Sequence, residues 1–403
     1  MSQLVYRGRD SIRRAGEMME ALGMKRPLIV GSRSLIPKLT RLGALKSAPV
    51  FSGYHPNPDV RDAEAGVRIY QEEGCDGLIS IGGGSAMDTA KSVKGWLRAD
   101  SVEDLMANRM SFPEEKAPAR VLTPENLKER TGRSRAGILI PHLAIPGTAG
   151  SGAEATATAV VYENNRKLSL SHPRLLPDGV ILDAGLLDSL PDYHKKSSAL
   201  DALSQGIESY WAKAATETSR VNAFLAFRGV LDNLKAYLAG DPHAAEEMMD
   251  ASYQSGKAIF VTRTTAAHAM SYQITKTLGL AHGHACALTL PVLWDLLAEN
   301  HETREMMGDL AEKMRLGDPM MGSRLLRGIL LDLDMPLPAM PDAETLEKLT
   351  DSVNPERLGN HPMTLTRDQI LQVYRRAFMP MSPTERQACL DIWKYYSAPV
   401  PEN

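Results

Sequence analysis

Residues 79–91 read Ile79-Ser80-Ile81-Gly82-Gly83-Gly84-Ser85-Ala86-Met87-Asp88-Thr89-Ala90-Lys91. A β-branched run meets three glycines and a serine, after which a helical pattern resumes: strand, glycine turn, helix. Glycines remove the Cβ atoms that would keep a diphosphate away from the backbone, and the free N–H groups at a helix start favour an anion. Ser85 adds a hydroxyl donor. Taken alone, such a loop reads equally well as a tight turn that binds nothing.

The flanking sequence extends the pattern. Pro27 to Val30, Ile138 to Ile140 and Leu143 to Ile145 read as buried strands like Gly77 to Ile81, and Ala63 to Glu73 reads as a helix with Val67 and Tyr70 at helical spacing. Strands alternating with helices imply right-handed crossovers and a mainly parallel sheet, whose ligands lie beyond the carboxyl ends of the strands. A second loop, Ile145-Pro146-Gly147-Thr148-Ala149-Gly150-Ser151-Gly152-Ala153-Glu154-Ala155-Thr156, again follows a strand and is dense in small residues and hydroxyls. Two such loops at strand ends are harder to explain as plain turns. Between Asn108 and Gly137 the sequence is too polar for core and reads as a surface insertion, with one helical turn after Thr123.

From about Pro191 onward the strand pattern gives way to long segments rich in Ala, Leu, Met and charged residues at helical periodicity. The expected architecture is a Rossmann-like α/β nucleotide-binding domain, residues 1–190, followed by an all-helical domain, residues 191–403. A length of 403 residues accommodates two domains, each with its own core. Lys plus Arg number 46 against 49 Asp plus Glu, with no long run of either sign, so the expected partner is a small solute and not nucleic acid. Cys75, Cys286 and Cys389 are far apart without a CxxC spacing, which fits a reducing cytoplasm. The N-terminal MSQLVYRGRDSIRRAG carries charges where a signal peptide needs an apolar stretch, and no segment approaches a membrane span; neither export nor membrane insertion is expected.

In the helical half, Pro191 to Trp211 (PDYHKKSSALDALSQGIESYW) places Leu200, Leu203, Ile207 and Trp211 at helical intervals behind Pro191, a suitable helix start. Asp201 and Gln205, four apart, share one face. His268 lies in Ala266-Ala267-His268-Ala269-Met270, and His282 and His284 lie in Ala281-His282-Gly283-His284-Ala285. A lone histidine on an apolar segment is more often a satisfied core residue than a ligand.

GGGSAMDTAK and IPGTAGSGAEAT resemble the two nucleotide-loop signatures of the iron-containing (group III) alcohol dehydrogenases. The likeness runs from about residue 20 to about residue 378 and includes Asn57-Pro58 and Gly74-Cys75-Asp76-Gly77. It implies a dehydroquinate synthase-like architecture, a homodimer, and metal-assisted, NAD(P)H-dependent reduction of a small aldehyde or ketone. It further implies that Gly83, Gly84 and Ser85 hold the pyrophosphate, that Asp88 and Thr148 lie by the nicotinamide half, with Asp88 also a catalytic candidate, and that Lys167 reaches the ribose. Gly147 stands where the family usually has Thr, removing one hydroxyl. Ser32 stands where NAD-using relatives commonly have Asp, and Arg33 beside it is able to pair with a 2′-phosphate, so NADPH is favoured and NADH left open.

The family holds a divalent metal through an Asp, a His four residues on, and two more His fourteen apart; the corresponding residues here are Asp201, Gln205, His268 and His282. An amide oxygen is a weaker ligand than imidazole for Fe(II) or Zn(II). Such a site holds its ion by three good ligands plus the amide, prefers a harder ion, or stays empty, and the sequence does not choose. Tyr272 replaces a His that many members carry for proton transfer. With a pKa of about 10 it donates to a forming alkoxide but is a poor base, which favours reduction, and Tyr272 and His282 are the further catalytic candidates.

Arg263 to Tyr272, Gly279 to Leu290 and Val353 to Asn360 resemble the phosphonoacetaldehyde reductase branch of the family. Arg263, Thr264 and Thr265, within two turns of His268, are the expected phosphonate anchor, with His284 and Arg357 as further candidates. The expected reaction takes phosphonoacetaldehyde to 2-hydroxyethylphosphonate. The alternatives are a general aldehyde or diol dehydrogenase and, because of Gln205, a nucleotide-binding scaffold without metal or redox activity.

Overall fold

Eight strands form among the described residues of the first half: β1 (Leu4–Arg7), β2 (Pro27–Gly31), β3 (Val50–Phe51), β4 (Gly77–Gly82), β5 (His142–Pro146), β6 (Thr158–Glu163), β7 (Arg166–Ser171) and β8 (Gly179–Leu182). The computed structural model describes residues 3–99, 104–105, 107–108, 110, 140–163 and 166–397. Six strands make one parallel sheet in the order β1-β8-β5-β4-β2-β3, and β6 pairs antiparallel with β7 in a separate hairpin.

The two-residue period of a strand sorts its side chains into two layers. Ile29, Ile79, Ile81, Leu143, Ile145 and Ile181 pack with Met18 and Met19 of α1 (Ala15–Ala21) and Ile36 and Leu39 of α2 (Ile36–Thr40). Leu28, Val30 and Leu78 pack on the other face with Val67 and Tyr70 of α3 (Val60–Glu72) and Ala90 and Val93 of α4 (Gly84–Trp96). Because helices cover both faces, the central strands are apolar at nearly every position, and this is why they read as continuous runs.

Ile140 is buried but lies outside any strand, contrary to expectation. Pro141 has no N–H to give to a ladder, and pairing begins at His142, opposite Leu78. Ile138, and the stretch between Asn108 and Gly137 apart from Met110, lie outside the described residues.

The second half is helical: α5 (Asp192–Trp211), α6 (Glu217–Leu238), α7 (Pro242–Thr262), α8 (Ala266–Leu278), α9 (His282–Glu299), α10 (Arg304–Lys313), α11 (Gly322–Asp332), α12 (Ala343–Asp351), α13 (Pro355–Gly359), α14 (Arg367–Ala377) and α15 (Pro383–Tyr396). Pro191 takes the N-cap position of α5, whose residues from Ala199 to Trp211 are all buried. A helix buried all round belongs at the centre of its unit, and Trp211 at its end meets Trp294 of α9 with ring centroids 6.1 Å apart. The chain divides into two compact units, Met1–Thr148 with Gly152–Leu190, and Ala149–Ser151 with Pro191–Asn403. No helix among the described residues is long and apolar enough to cross a membrane.

Candidate active site

The three nucleotide-loop segments expected from sequence converge at one edge of the sheet. Gly31 pairs with Ile81, and Gly82 pairs with Pro146. The Ser32 N–H donates to the Ile81 carbonyl at 3.0 Å and the Gly147 N–H to the Gly82 carbonyl at 2.8 Å. Ser32, the Gly83–Ser85 turn and Thr148 therefore share the carboxyl ends of β2, β4 and β5, where such sheets take their ligands. A Cβ built on Gly83 would sit 3.5 Å from Thr148 Cγ2, so the first loop faces the second across an opening that glycine preserves. Gly147 has a steric reason of its own: a side chain there would run into Leu35 Cδ1.

Arg33 is exposed, Ser32 Oγ lies 3.3 Å from Ser34 Oγ, and Asp88 is half-buried on α4. The Ser85 hydroxyl donates to the Pro56 carbonyl. Lys167 is on β7, with its side chain outside the described residues.

Lys91, fully buried on α4, joins the two loops. Its Nζ donates to Ala153 O at 2.7 Å, Thr156 Oγ1 at 2.9 Å and Thr158 O at 2.9 Å, using all three protons. Burial lowers its pKa to about 8, against the opposing pull of Asp88 and Glu154.

In the helical unit, the structure brings Asp201 of α5, His268 of α8 and His282 of α9 together. Asp201 Oδ1 lies 3.3 Å from His268 Nε2 and 3.9 Å from His282 Nε2. Cys286, one turn after His282, completes a cluster whose four ligand atoms all lie within 4.8 Å of one another. Asp201, His268 and Cys286 are buried, and His282 is the half-buried member.

Asp201 Oδ1 and His268 Nε2 are buried without a hydrogen-bond partner, a costly arrangement unless a cation lies between them. That pair of orphaned atoms fits a divalent ion. Close approach is set by Gly283: a Cβ there would lie 2.7 Å from Asp201 Cβ and 2.8 Å from Asp201 N, so the lack of a side chain is what seats α9 against α5.

Gln205 is beside the cluster with its amide engaged. Its Oε1 accepts from Ser255 Oγ at 2.8 Å, and its Nε2 donates to Ser151 O at 3.3 Å.

Glu208, absent from the expected site residues, is wholly buried one further turn along α5. Its Oε2 accepts from His268 Nδ1, and its Oε1 accepts from Thr265 N at 3.1 Å, Thr265 Oγ1 at 2.6 Å and Ala267 N at 2.9 Å. Fixing the Nδ1 proton turns Nε2 into the ligand atom, as carboxylate partners of metal-binding histidines do. The spacing Asp201, Gln205, Glu208 repeats one helix face, a signal that was there to be read.

Electrostatics in the cluster are coupled. Burial disfavours charged imidazoles, yet Cys286, Glu208 and Asp201 hold His268 well above the ordinary histidine range, and Cys286 and Asp201 raise His282 to about 9. Burial likewise opposes the Cys286 thiolate, but the two histidines bring it down to about 7. An ion entering here displaces protons, so uptake strengthens as pH rises.

The substrate candidates separate. Tyr272 stacks on His282 with ring centroids 5.5 Å apart and planes 8° apart. Arg357 lies over the Tyr272 ring at 5.6 Å and donates from Nη1 to Thr264 Oγ1 at 2.7 Å. Arg263 is exposed at the end of α7 with φ 61° and ψ −175°, a conformation unfavourable to any residue but glycine. Asn360 holds both sides of it, donating to Thr262 O at 2.7 Å and Thr264 O at 3.2 Å. Arg357 is thus a cation adjoining both Thr264 and Tyr272. His284 is wholly buried, with Nδ1 3.1 Å from Tyr193 Oη.

A parallel-sheet unit with glycine loops at its carboxyl edge, and a helical unit with a buried ligand cluster, define a nucleotide-dependent, metal-assisted oxidoreductase. Residues 2–184 match the family model for iron-containing alcohol dehydrogenase, and residues 196–378 match that for the C-terminal part of the Fe-containing alcohol dehydrogenase family. The chain belongs to this family and is a nicotinamide-dependent enzyme of the alcohol dehydrogenase and aldehyde reductase class.

Among curated relatives, a phosphonoacetaldehyde reductase of Streptomyces viridochromogenes is 32% identical over 312 residues, 76% of this chain and 72% of that protein. A lactaldehyde reductase of Escherichia coli is 28% identical over 300 residues, 72% of this chain and 73% of that protein. The solved sulfoacetaldehyde reductase of Bifidobacterium kashiwanohense, in complex with NAD+, superposes with a TM-score of 0.80 at 25% identity, covering 93% of this chain and 97% of that one.

Proposed function

We propose that this enzyme reduces a small aldehyde bearing a phosphonate, phosphonoacetaldehyde to 2-hydroxyethylphosphonate, with NADPH as the preferred hydride donor. The observation that carries the reading is Arg357, placed on Thr264 Oγ1 and over the ring of Tyr272, which itself stacks on His282. A guanidinium one ring away from a ligand of the metal cluster suits an aldehyde with an anionic head. The likeness to a phosphonoacetaldehyde reductase and to a sulfoacetaldehyde reductase supports it, since both names describe aldehydes with a tetrahedral oxyanion.

When bound, a divalent ion supplies Lewis acidity toward a carbonyl oxygen, and a reduced nicotinamide supplies hydride. The chain's own residues do the rest. Asp201, His268 and His282 hold the ion, Arg357 and Thr264 fix the phosphonate, and the Tyr272 phenol holds the proton that the product oxygen requires. Gly83, Gly84 and Ser85 take the pyrophosphate, with Asp88, Thr148 and Lys167 along the nicotinamide and ribose. Ser32 leaves room for a 2′-phosphate, and the exposed Arg33 pairs with it. Domain bounds of 1–190 and 191–403, a homodimer and a cytoplasmic location belong to the same reading, the last supported by three buried, unpaired cysteines.

Steady-state kinetics with phosphonoacetaldehyde, propanal and lactaldehyde test it. Arg357→Ala removes charge-assisted hydrogen bonds of about 1.5–3 kcal/mol, so kcat/KM for phosphonoacetaldehyde is expected to fall roughly 10- to 150-fold while that for propanal changes little. Equal efficiency of the parent on charged and uncharged aldehydes would instead mark a general aldehyde reductase.

A further inference from the structure

We propose that Cys286 supplies, as a thiolate, the fourth protein ligand of the metal, in the role that the family's missing histidine leaves open at Gln205. The inference does not depend on the identity of the substrate.

Gln205 is set against the role by its hydrogen bonds. Its amide oxygen accepts a proton from Ser255 Oγ. Its Nε2 donates to Ser151 O at 3.3 Å, so both ends of the amide already have partners within the protein.

Cys286 has the opposite properties. It is wholly buried, follows His282 by four residues on α9 and so shares its face, and its Sγ lies 3.9 Å from His282 Nε2. Zn–N and Zn–O bonds of about 2.0–2.1 Å and Zn–S bonds of about 2.3 Å give tetrahedral edges of roughly 3.3–3.6 Å. The 3.3 Å between Asp201 Oδ1 and His268 Nε2 and the two 3.9 Å separations at His282 Nε2, to Asp201 Oδ1 and to Cys286 Sγ, bracket that range.

The two orphaned atoms, Asp201 Oδ1 and His268 Nε2, point independently to an ion in the same place. One carboxylate and one thiolate neutralise a divalent charge, which suits a buried site. A thiolate among imidazoles selects zinc over Fe(II) more strongly than a set of oxygen and nitrogen donors.

Cobalt(II) substituted into the full-length protein tests the inference by absorption. The parent is expected to show an intense near-ultraviolet thiolate-to-cobalt charge-transfer band beside the ligand-field bands. Cys286→Ser should lose the charge-transfer band and bind zinc at least about tenfold more weakly, while Gln205→Ala keeps the band. The parent spectrum alone decides the point should the variants fold poorly. Ligand-field bands without charge transfer in the parent, or a band that survives in Cys286→Ser, overturn the assignment of Cys286. A parent that takes up no cobalt overturns it together with the metal centre, and neither outcome touches the phosphonate reading, which rests on the Arg357 kinetics.

Discussion

Glu208→Gln is expected to perturb metal binding without replacing a metal ligand. Glu208 accepts from five donors: Thr265 N, Thr265 Oγ1, Ala267 N and, at 3.5 Å, His268 N on one oxygen, and His268 Nδ1 on the other. A carboxylate satisfies all five, but an amide has only one oxygen. The least costly orientation keeps that oxygen on its four donors and turns the NH2 to the His268 ring, which must then accept at Nδ1 and carry its proton on Nε2. The proton occupies the atom that otherwise binds the ion. Losing one charge-assisted hydrogen bond costs about 1.5–3 kcal/mol, which lowers the melting temperature by roughly 2–4 °C in a chain of 403 residues. The metal term is separate, a loss of about 10- to 100-fold in affinity, as found for such outer partners of histidine ligands. Zinc competition against a chromophoric chelator measures the second, and thermal unfolding of the metal-free protein measures the first. Zinc affinity within twofold of the parent would refute the claim that Glu208 sets the His268 tautomer.

Ser32→Asp should move the ratio of kcat/KM values from NADPH toward NADH by at least about tenfold, because a carboxylate there accepts from a ribose hydroxyl and repels a phosphate; an unchanged ratio removes Ser32 and Arg33 from cofactor selection. Burial lowers His361 and His284 to about 4 and His142 well below its ordinary value. Depressed in the fold, these pKa values contribute stability that is present above about pH 6.5 and lost as pH falls through 4. Melting temperature should therefore decline across that window, and His361→Phe should make the decline shallower; an identical slope would show that protonation of His361 does not limit acid stability.

What the sequence made legible was local. The glycine loops announced themselves because a strand, a turn and a helix start are contiguous in the chain, and the central strands did so because both of their faces are buried. Edge elements were silent for the converse reason: β1 is partly exposed along its whole length, and β3 has only two residues. Asp201, His268 and His282 were found through their motifs. Cys286 and Glu208 escaped although each lies at helical spacing from a named ligand, because a buried cysteine or glutamate says nothing until its neighbours on other helices are known. Arg357 was named through the family resemblance alone. It is 93 positions from Thr264, and no periodicity links them.

The seating of α9 on α5 at Gly283 makes the radius of the ion a backbone property. Ligand identities at positions 201, 268, 282 and 286 are open to exchange one at a time, altering charge and softness while the helices keep their spacing. A library restricted to those four positions therefore samples which chemistry of ion is held, at constant ion size. Widening the cage requires a residue with a side chain at position 283, and that forces two helix backbones apart along with the ligands they carry. Size and chemistry are thus encoded at different places in the chain, and a change of metal that involves both needs at least two substitutions.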